Sequence, residues 1–288
     1  MNRTAQLRKL LAQPRLLVAP FTYDAFTAKI AESVGFELIY LSGFGTAMSL
    51  GFPDVGLVTE SEMVQNARRV AQAVTIPVIA DADTGYGNPL NVQRAVRDYE
   101  AAGVAALHLE DQVFPKRCGF FEGKEVIPLE EHVQKVRAAV DARTDPDFLI
   151  IARCDALAVE GWEGTVRRCR AYREAGADML FVDGIGNPQT LEAYARELGD
   201  LPLLLNADFA PASQVEGYGF KVLIHRGPMF AVYRAVRKVM EELKEKGFLG
   251  PEWSEASPQV RREIAQLLGL DQVFEAEQRY RTTGPAQV

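Results

Sequence analysis

Long apolar runs are missing from this 288-residue sequence: none reaches the ~18 residues that a membrane-spanning helix needs. Cysteine is scarce. Cys118, Cys154 and Cys169 are odd in number and lack metal-type spacing, which argues against a disulfide framework and against structural zinc. Any of them that matters should act as a thiol. Basic charge is also short, since 32 Lys and Arg face 39 Asp and Glu for a formal net charge of −7. The cations are scattered without a basic stripe, so nucleic acid is not an expected partner. The first residues, Met1-Asn-Arg-Thr-Ala-Gln-Leu-Arg-Lys-Leu-Leu, lack the apolar core and cleavage site of a secretory signal. They read as a short amphipathic helix, and the cytoplasm is the expected location. What is present is 48% apolar content with a mean hydropathy of −0.08, enough for a large core in one or two domains.

A repeat that recurs in phase organises the chain. Four helical stretches stop at a glycine that leads into an apolar segment: Gly35-Phe-Glu-Leu-Ile-Tyr40, Gly103-Val-Ala-Ala-Leu-His108, Gly176-Ala-Asp-Met-Leu-Phe181 and Gly219-Phe-Lys-Val-Leu-Ile224. Glycine supplies the left-handed helix stop. Further apolar runs begin at Leu16, Pro77, Phe148 and Pro202, making eight strand candidates. Helical segments separate them, the clearest being 88–102, with Asn88 as cap and Pro89 in the first turn. Continuous apolar strands alternating with helices indicate a parallel sheet covered on its outer face. Eight units predict a (β/α)8 barrel over 1–244, and an open doubly wound sheet is the competing fold. Residues 245–288 read as a helical extension, with helical pieces at 260–268 and 272–280. Its apolar face needs cover, and a neighbouring subunit is the expected place.

The segment Pro77-Val-Ile-Ala-Asp81-Ala-Asp83-Thr-Gly-Tyr-Gly87 carries the strongest chemical signal. Alternate residues of a strand share a face, so Asp81 and Asp83 can point at one cation. Such a pair suits Mg2+, which takes its remaining ligands from water and substrate. A solvated turn is the bland alternative. Barrel active sites lie at the carboxyl ends of the strands. Polar residues gather there: Ser42, Glu110 with Asp111, Arg153 with Asp155, Asp183, Asn206 with Asp208, and His225 with Arg226.

Five motifs in order, Tyr40-Leu-Ser-Gly43, Asp81-Ala-Asp-Thr-Gly-Tyr-Gly87, His108-Leu-Glu-Asp-Gln112, Lys116-Arg-Cys-Gly119 and Ile151-Ala-Arg-Cys-Asp155, resemble the isocitrate lyase and phosphoenolpyruvate mutase superfamily. The similarity spans nearly the whole chain and is greatest to the short lyases that act on 2-methylisocitrate or 2,3-dimethylmalate. It implies a Mg2+-dependent barrel, with Mn2+ as a substitute, whose last helix is exchanged within a homotetramer, a dimer of dimers. By that resemblance Asp81, Asp83 and Glu110 hold the metal directly or through water. Ser42 and the backbone of Gly43 grip a substrate carboxylate, Arg153 pairs with it, and Asn206 contacts the same end. Asp54, Arg117, Gly119, Asp183 and His225 complete the substrate-contacting set. Arg153 also fits from its own chemistry, because a guanidinium fork matches a carboxylate; an internal salt bridge to Asp155 or Asp183 is the competing role.

Cys118 sits in a connection from Asp111 to Pro128 long enough to serve as a lid. Lys116 and Arg117 beside it favour the thiolate, giving an acid or base near neutral pH. Several positions depart from the lyase pattern. Phe120 replaces a lid histidine, Asp183 a glutamate, Ala207-Asp-Phe209 a Met-Thr-Glu run, His225-Arg226 a Tyr-Pro pair, and Cys154 a threonine. His108 reads equally as core or functional, His132 as solvent-exposed on a charged helix face, and His225 as an enolate-stabilising group.

The expected reaction is a retro-aldol-type cleavage of a 2-hydroxy di- or tricarboxylate to a 2-oxo acid and a smaller carboxylate. In it Tyr40 is the candidate base, and Cys118 protonates the enolate-like fragment. Oxaloacetate decarboxylation is the main alternative. A phosphonate-forming mutase and a non-catalytic binding protein follow it.

Overall fold

In the computed structural model the chain is described over residues 2–118, 123–250, 253 and 258–281. It divides into two compact units, 1–230 and 231–288. In the first, eight parallel strands close into a barrel in chain order, β8 pairing back onto β1. They are β1 (Leu17–Thr22), β2 (Ile39–Leu41), β3 (Val78–Asp81), β4 (Ala106–Glu110), β5 (Leu149–Cys154), β6 (Met179–Val182), β7 (Leu203–Asn206) and β8 (Val222–His225). The (β/α)8 expectation holds, and the open sheet is excluded. The four helix-stopping glycines adopt φ of +96°, +90°, +104° and +86°. Pairing starts three or four residues after each of them, so the lead-in residues are loop rather than strand.

Helices α1 (Arg3–Leu11), α2 (Ala25–Ser33), α3 (Gly43–Ser49), α4 (Glu60–Ala73) and α5 (Pro89–Ala102) belong to the first half of the barrel. The second half carries α6 (Leu129–Ala142), α7 (Leu157–Glu174), α8 (Pro188–Leu198), α9 (Ala212–Gly217) and α10 (Gly227–Lys246). α5 forms as its sequence dictates: Asn88 caps it in a reciprocal capping box, Pro89 opens it, and Val92, Ala95, Val96 and Tyr99 face inward. Side chains alternate along each strand between two cores. The inner one stacks Leu17, Ala19 and Phe21 of β1 with Tyr40, Ile79, Ile151, Phe181 and Ile224, and Leu7, Leu10 and Leu11 of α1 join it. With its amino end filled this way, the barrel is a packed core and leaves its carboxyl rim for the site.

His132 corrects the sequence reading. It is fully buried, its ring 4.6 Å from that of Tyr172 on α7. The face of α6 that looks charged in sequence is folded against α7, and the neighbouring Lys135 is buried too, with Nζ donating to the Thr84 carbonyl at 3.1 Å. Burial, then Lys135 and Arg168, push the His132 pKa from 6.5 down to about 3. As pH falls below 6.5 the unfolded chain takes up a proton that the folded chain refuses. The contribution of this residue to stability is therefore complete above 6.5 and is lost progressively toward pH 3. His132→Phe keeps the ring contact and removes the titration. Paired melting curves are expected to show a shallower acid-side decline for the variant; parallel curves would count against a neutral buried imidazole.

The second unit contains the rest of α10, then α11 (Pro258–Leu267) and α12 (Leu270–Tyr280). Its helices expose Val236, Met240, Ile264, Val273, Phe274 and Tyr280, and α12 has no buried residue.

Candidate active site

At the carboxyl rim lies a cavity of about 330 Å³. Its polar lining includes Tyr40, Ser42, Asp54, Asp81, Lys116, Cys118, Arg153, Asp183 and Asn206. Interleaved with these are Phe21, Phe44, Phe181, Phe209 and Phe230, with Phe21 against Tyr40 and Phe181 under Arg153. Most residues singled out in the sequence therefore meet here, although they come from several strands and the loops that follow them.

The two aspartates come together by a different route from the one expected. β3 ends at Asp81, and Asp83 sits in a turn at φ +45°, a region that Asp tolerates better than most residues. The turn is fixed because the Asp83 N–H donates to Asp81 Oδ1 at 3.0 Å, while the Asp83 carbonyl accepts from the Glu110 N–H at 2.9 Å. Asp81 Oδ2 accepts from the Gly43 N–H at 3.0 Å and from the Tyr40 hydroxyl at 3.3 Å. That approach requires glycine at 43, since a Cβ there would lie 2.6 Å from Asp81 Oδ2. The Gly43 N–H is thus committed to Asp81 and not open to a substrate carboxylate, while Ser42 lines the cavity. Its hydroxyl caps α3 by accepting from the Gly45 N–H at 3.1 Å.

Charge is concentrated and buried. The Lys116 ammonium pairs with Asp54 and lies 3.0 Å from Asp83 Oδ1. The Arg153 fork lies on Asp155, with Nε at 2.8 Å and Nη2 at 3.0 Å, and its Nη1 is 3.0 Å from Glu110 Oε2. Both the internal pairing foreseen for Arg153 and its place on the cavity wall are therefore present together. Burial raises the Asp81 carboxyl, but His108, Lys116, Arg153 and the Asp83 N–H overcome it and hold the pKa down at about 2. Asp83 moves up to about 6, because burial and Asp81 outweigh Lys116. Glu110 is pushed well above the usual carboxylate range, mainly by burial. Lys116 is held well above its ordinary value despite burial by Asp83, Glu110, Asp81 and Asp54.

Asp83 Oδ1 and both oxygens of Glu110 have no hydrogen-bond partner; the contacts from Lys116 and Arg153 reach ion-pair distance without hydrogen-bond alignment. Among the described residues no group of three His, Cys, Asp or Glu side chains is close enough to ligate one ion directly. The open oxygens beside Asp81 nevertheless fit Mg2+, which keeps several waters and needs only one or two protein carboxylates.

Other sequence readings change. Burial, then Asp81, raises the Tyr40 hydroxyl well above 10, which favours its protonated form and works against a role as base. His108 is a supporting residue: its Nε2 is 2.7 Å from the Tyr40 hydroxyl, and burial lowers its pKa to about 4. His225 does not line the cavity, and its Nδ1 accepts from the Gly227 N–H at 3.1 Å. Arg226 takes the wall position, bound through two nitrogens to Asp208. The enolate-stabilising task read for His225 thereby loses its geometry. Asp111 turns outward, accepting from Tyr172 at 2.6 Å and from the Asp155 N–H at 2.7 Å. The Arg117 N–H donates to Gln112 Oε1 at 2.9 Å. Gly119 and Phe120 lie outside the described residues. Lys124 escaped sequence reading because a lysine after Gly123 in a long loop looks like ordinary solvated charge. Its ammonium is 2.7 Å from both Asp155 and Asp183.

Fold and site together define a barrel enzyme with an acidic, arginine-bearing centre for small carboxylates. Residues 7–244 match the phosphoenolpyruvate phosphomutase family, and the chain belongs to the phosphoenolpyruvate mutase/isocitrate lyase superfamily. It is 40% identical to 2,3-dimethylmalate lyase of Eubacterium barkeri over 98% of this chain and 99% of that protein. It is 42% identical to 2-methylisocitrate lyase of Aeropyrum pernix over 84% of this chain and 80% of that protein. Among solved structures it resembles a 2,3-dimethylmalate lyase (TM-score 0.90, 36% identity, covering 100% of this chain and 99% of that one). An oxaloacetate acetylhydrolase bound to 3,3-difluorooxalacetate is similar (0.91, 34%, covering 99% of both). So is a phosphonopyruvate hydrolase bound to oxalate and Mg2+ (0.88, 34%, covering 97% and 99%).

Proposed function

We propose that this protein is a Mg2+-dependent carbon–carbon lyase that cleaves a 2-hydroxy di- or tricarboxylate of the alkylmalate or methylisocitrate type into a 2-oxo acid and a smaller carboxylate. The observation that carries the reading is the meeting of Asp81, Arg153 and Cys118 on one cavity, with Asp83 and Glu110 joined to it through Lys116 and Arg153, in a chain whose relatives include lyases. Asp81, Asp83 and Glu110 would hold Mg2+ directly or through water, with Mn2+ as a substitute. When bound, the ion supplies Lewis acidity toward the substrate's oxygens.

Arg153, Ser42 and Asn206 bind and orient the substrate carboxylate. Asn206 lines the cavity, where its side-chain NH2 group is the part able to donate to a carboxylate. The Tyr40 hydroxyl, 3.3 Å from Asp81 Oδ2 and 2.7 Å from His108 Nε2, holds the Asp81 carboxylate in place. The substrate hydroxyl passes its proton through water to a carboxylate of the Asp81, Asp83 and Glu110 cluster and becomes the new carbonyl, while the bonding pair of the breaking carbon–carbon bond passes to the departing fragment. Cys118 protonates that fragment at carbon. Lys116, tied to Asp54, and the Cys118 N–H, which donates to the Asp54 carbonyl at 3.2 Å, fix the thiol at the site. Arg117 belongs to the same lid, and lid closure excludes water from the carbanion equivalent.

The test is incubation with Mg2+ and a panel of alkylmalates, methylisocitrate, isocitrate and oxaloacetate while 2-oxo acid formation and loss are followed. Formation from an alkylmalate or methylisocitrate, abolished by EDTA, is the expected result; none from any 2-hydroxy acid refutes the reading. Action on oxaloacetate is the second reading, supported by the similarity to oxaloacetate acetylhydrolase.

The assembly in this reading is a homotetramer in which 245–288 covers a partner, supported by the exposed apolar residues of α11 and α12. Deleting 251–288 is expected to give a smaller or aggregating species; unchanged sedimentation and melting would show that the segment is an appendage. The three cysteines, all buried, suit a reducing compartment such as the cytoplasm.

A further inference from the structure

Arg153 has an electrostatic difficulty as a substrate clamp. Its single positive charge faces Glu110, Asp155 and Asp183, the last with Oδ2 3.5 Å from Nη2. An incoming carboxylate must compete with three already in place, in a site where burial strengthens every charge interaction. Lys124 supplies the second cation. Its side chain is 7% exposed, and its Nζ lies 2.7 Å from Asp155 Oδ1 and 2.7 Å from Asp183 Oδ2. These are the oxygens that face Arg153 Nη2.

The cation is carried by the loop between Asp111 and Pro128, not by the barrel. The stem of that loop is a short antiparallel pairing: the Val113 N–H donates to the Glu125 carbonyl and the Ile127 N–H to the Asp111 carbonyl, both at 2.9 Å. Gln112 in the first arm donates to Asp155 Oδ1 at 3.1 Å while accepting the Arg117 N–H. Both arms therefore converge on one carboxylate, and Lys124 is the only side chain among the described residues of the loop that delivers a charge to it.

We propose that Lys124 is a positioning residue that latches the Asp111–Pro128 loop to the rim of β5 and β6 and, by sharing Asp155 and Asp183, leaves the Arg153 fork able to accept a substrate carboxylate. With the loop latched, two cations face Asp155 and Asp183 and the charges balance. With it lifted, Arg153 alone faces both carboxylates, and a bound anion meets a surplus negative charge. Substrate affinity and loop position are then linked through one ammonium group, because whatever binds better to the latched state also stabilises it.

The latch itself does not depend on the proposed reaction; only the ligand-binding arm of the test rests on it. Full-length wild-type protein, Lys124→Met, Lys124→Gln and Lys124→Arg are compared by hydrogen exchange over residues 112–127, with the rest of the barrel as internal control. The Met and Gln variants are expected to exchange at least about tenfold faster there and unchanged elsewhere, with Arg close to wild type. Unchanged exchange in Met and Gln overturns the latch. Calorimetry with oxalate and Mg2+ forms the second arm. A Kd raised about tenfold or more in Met and Gln and largely recovered in Arg is expected. Wild-type affinity in the Met variant overturns the linkage to Arg153. Absence of oxalate binding in the wild type would instead count against the proposed site chemistry, and the exchange arm still decides the latch.

Discussion

Asp81→Ala is expected to lower Mg2+-dependent turnover by about 10³-fold or more, the scale seen when a preorganised electrostatic group is removed from an active site. The barrel should stay folded. Asp81 anchors the cluster through three contacts, from the Gly43 and Asp83 N–H groups and the Tyr40 hydroxyl. Removing it deletes a carboxylate of the proposed metal site and frees the turn that places Asp83. Donors left without an acceptor in a sealed core cost about 1–3 kcal/mol each, which would threaten a fold of ordinary stability. Asp81 lines the cavity, however, so water can satisfy them. Loss of function therefore exceeds loss of stability by a wide margin. Turnover measured beside far-UV circular dichroism checks this, and full activity in the variant, or of the wild type in EDTA, would sink the metal assignment.

Cys118→Ser is expected to cut lyase turnover by ~10²-fold or more, the range for a positioned acid or base. A serine hydroxyl keeps the size of the group and loses its acidity, so substrate binding should change little. The effect should appear in kcat. Decarboxylation of oxaloacetate should suffer much less, because its enolpyruvate product can leave and be protonated in water. That asymmetry separates the two readings by chemistry alone, using one variant and two substrates. Intact cleavage of an alkylmalate or methylisocitrate by Cys118→Ser would show that the thiol is not the proton donor.

Periodicity and glycine stops, read along the chain, were sufficient for the barrel. The αL geometry at Gly35, Gly103, Gly176 and Gly219 is a local backbone demand that leaves its mark in composition. The rim cluster was legible for a related reason: a parallel barrel brings the ends of all its strands to one face, so polar residues that follow each strand must meet. The motifs supplied the family in the same way.

Directions and partners were beyond the sequence. His132 looked solvent-facing because a helix is charged or apolar only relative to what packs on it, and α7 supplies that surface. Tyr40 read as a base until its burial beside Asp81 and His108 was known. His225 and Arg226 are neighbours in sequence, yet only the second lines the cavity. Lys124, 29 residues before Arg153, is joined to it only through Asp155 and Asp183. The sequence by itself determined the barrel, its family and the residues at its rim, because backbone conformation and strand order are encoded locally. The tertiary structure alone decided which of those residues are protonated, which face the cavity and which cation balances which carboxylate. Burial and charge pairing are sums over neighbours that are distant in the chain.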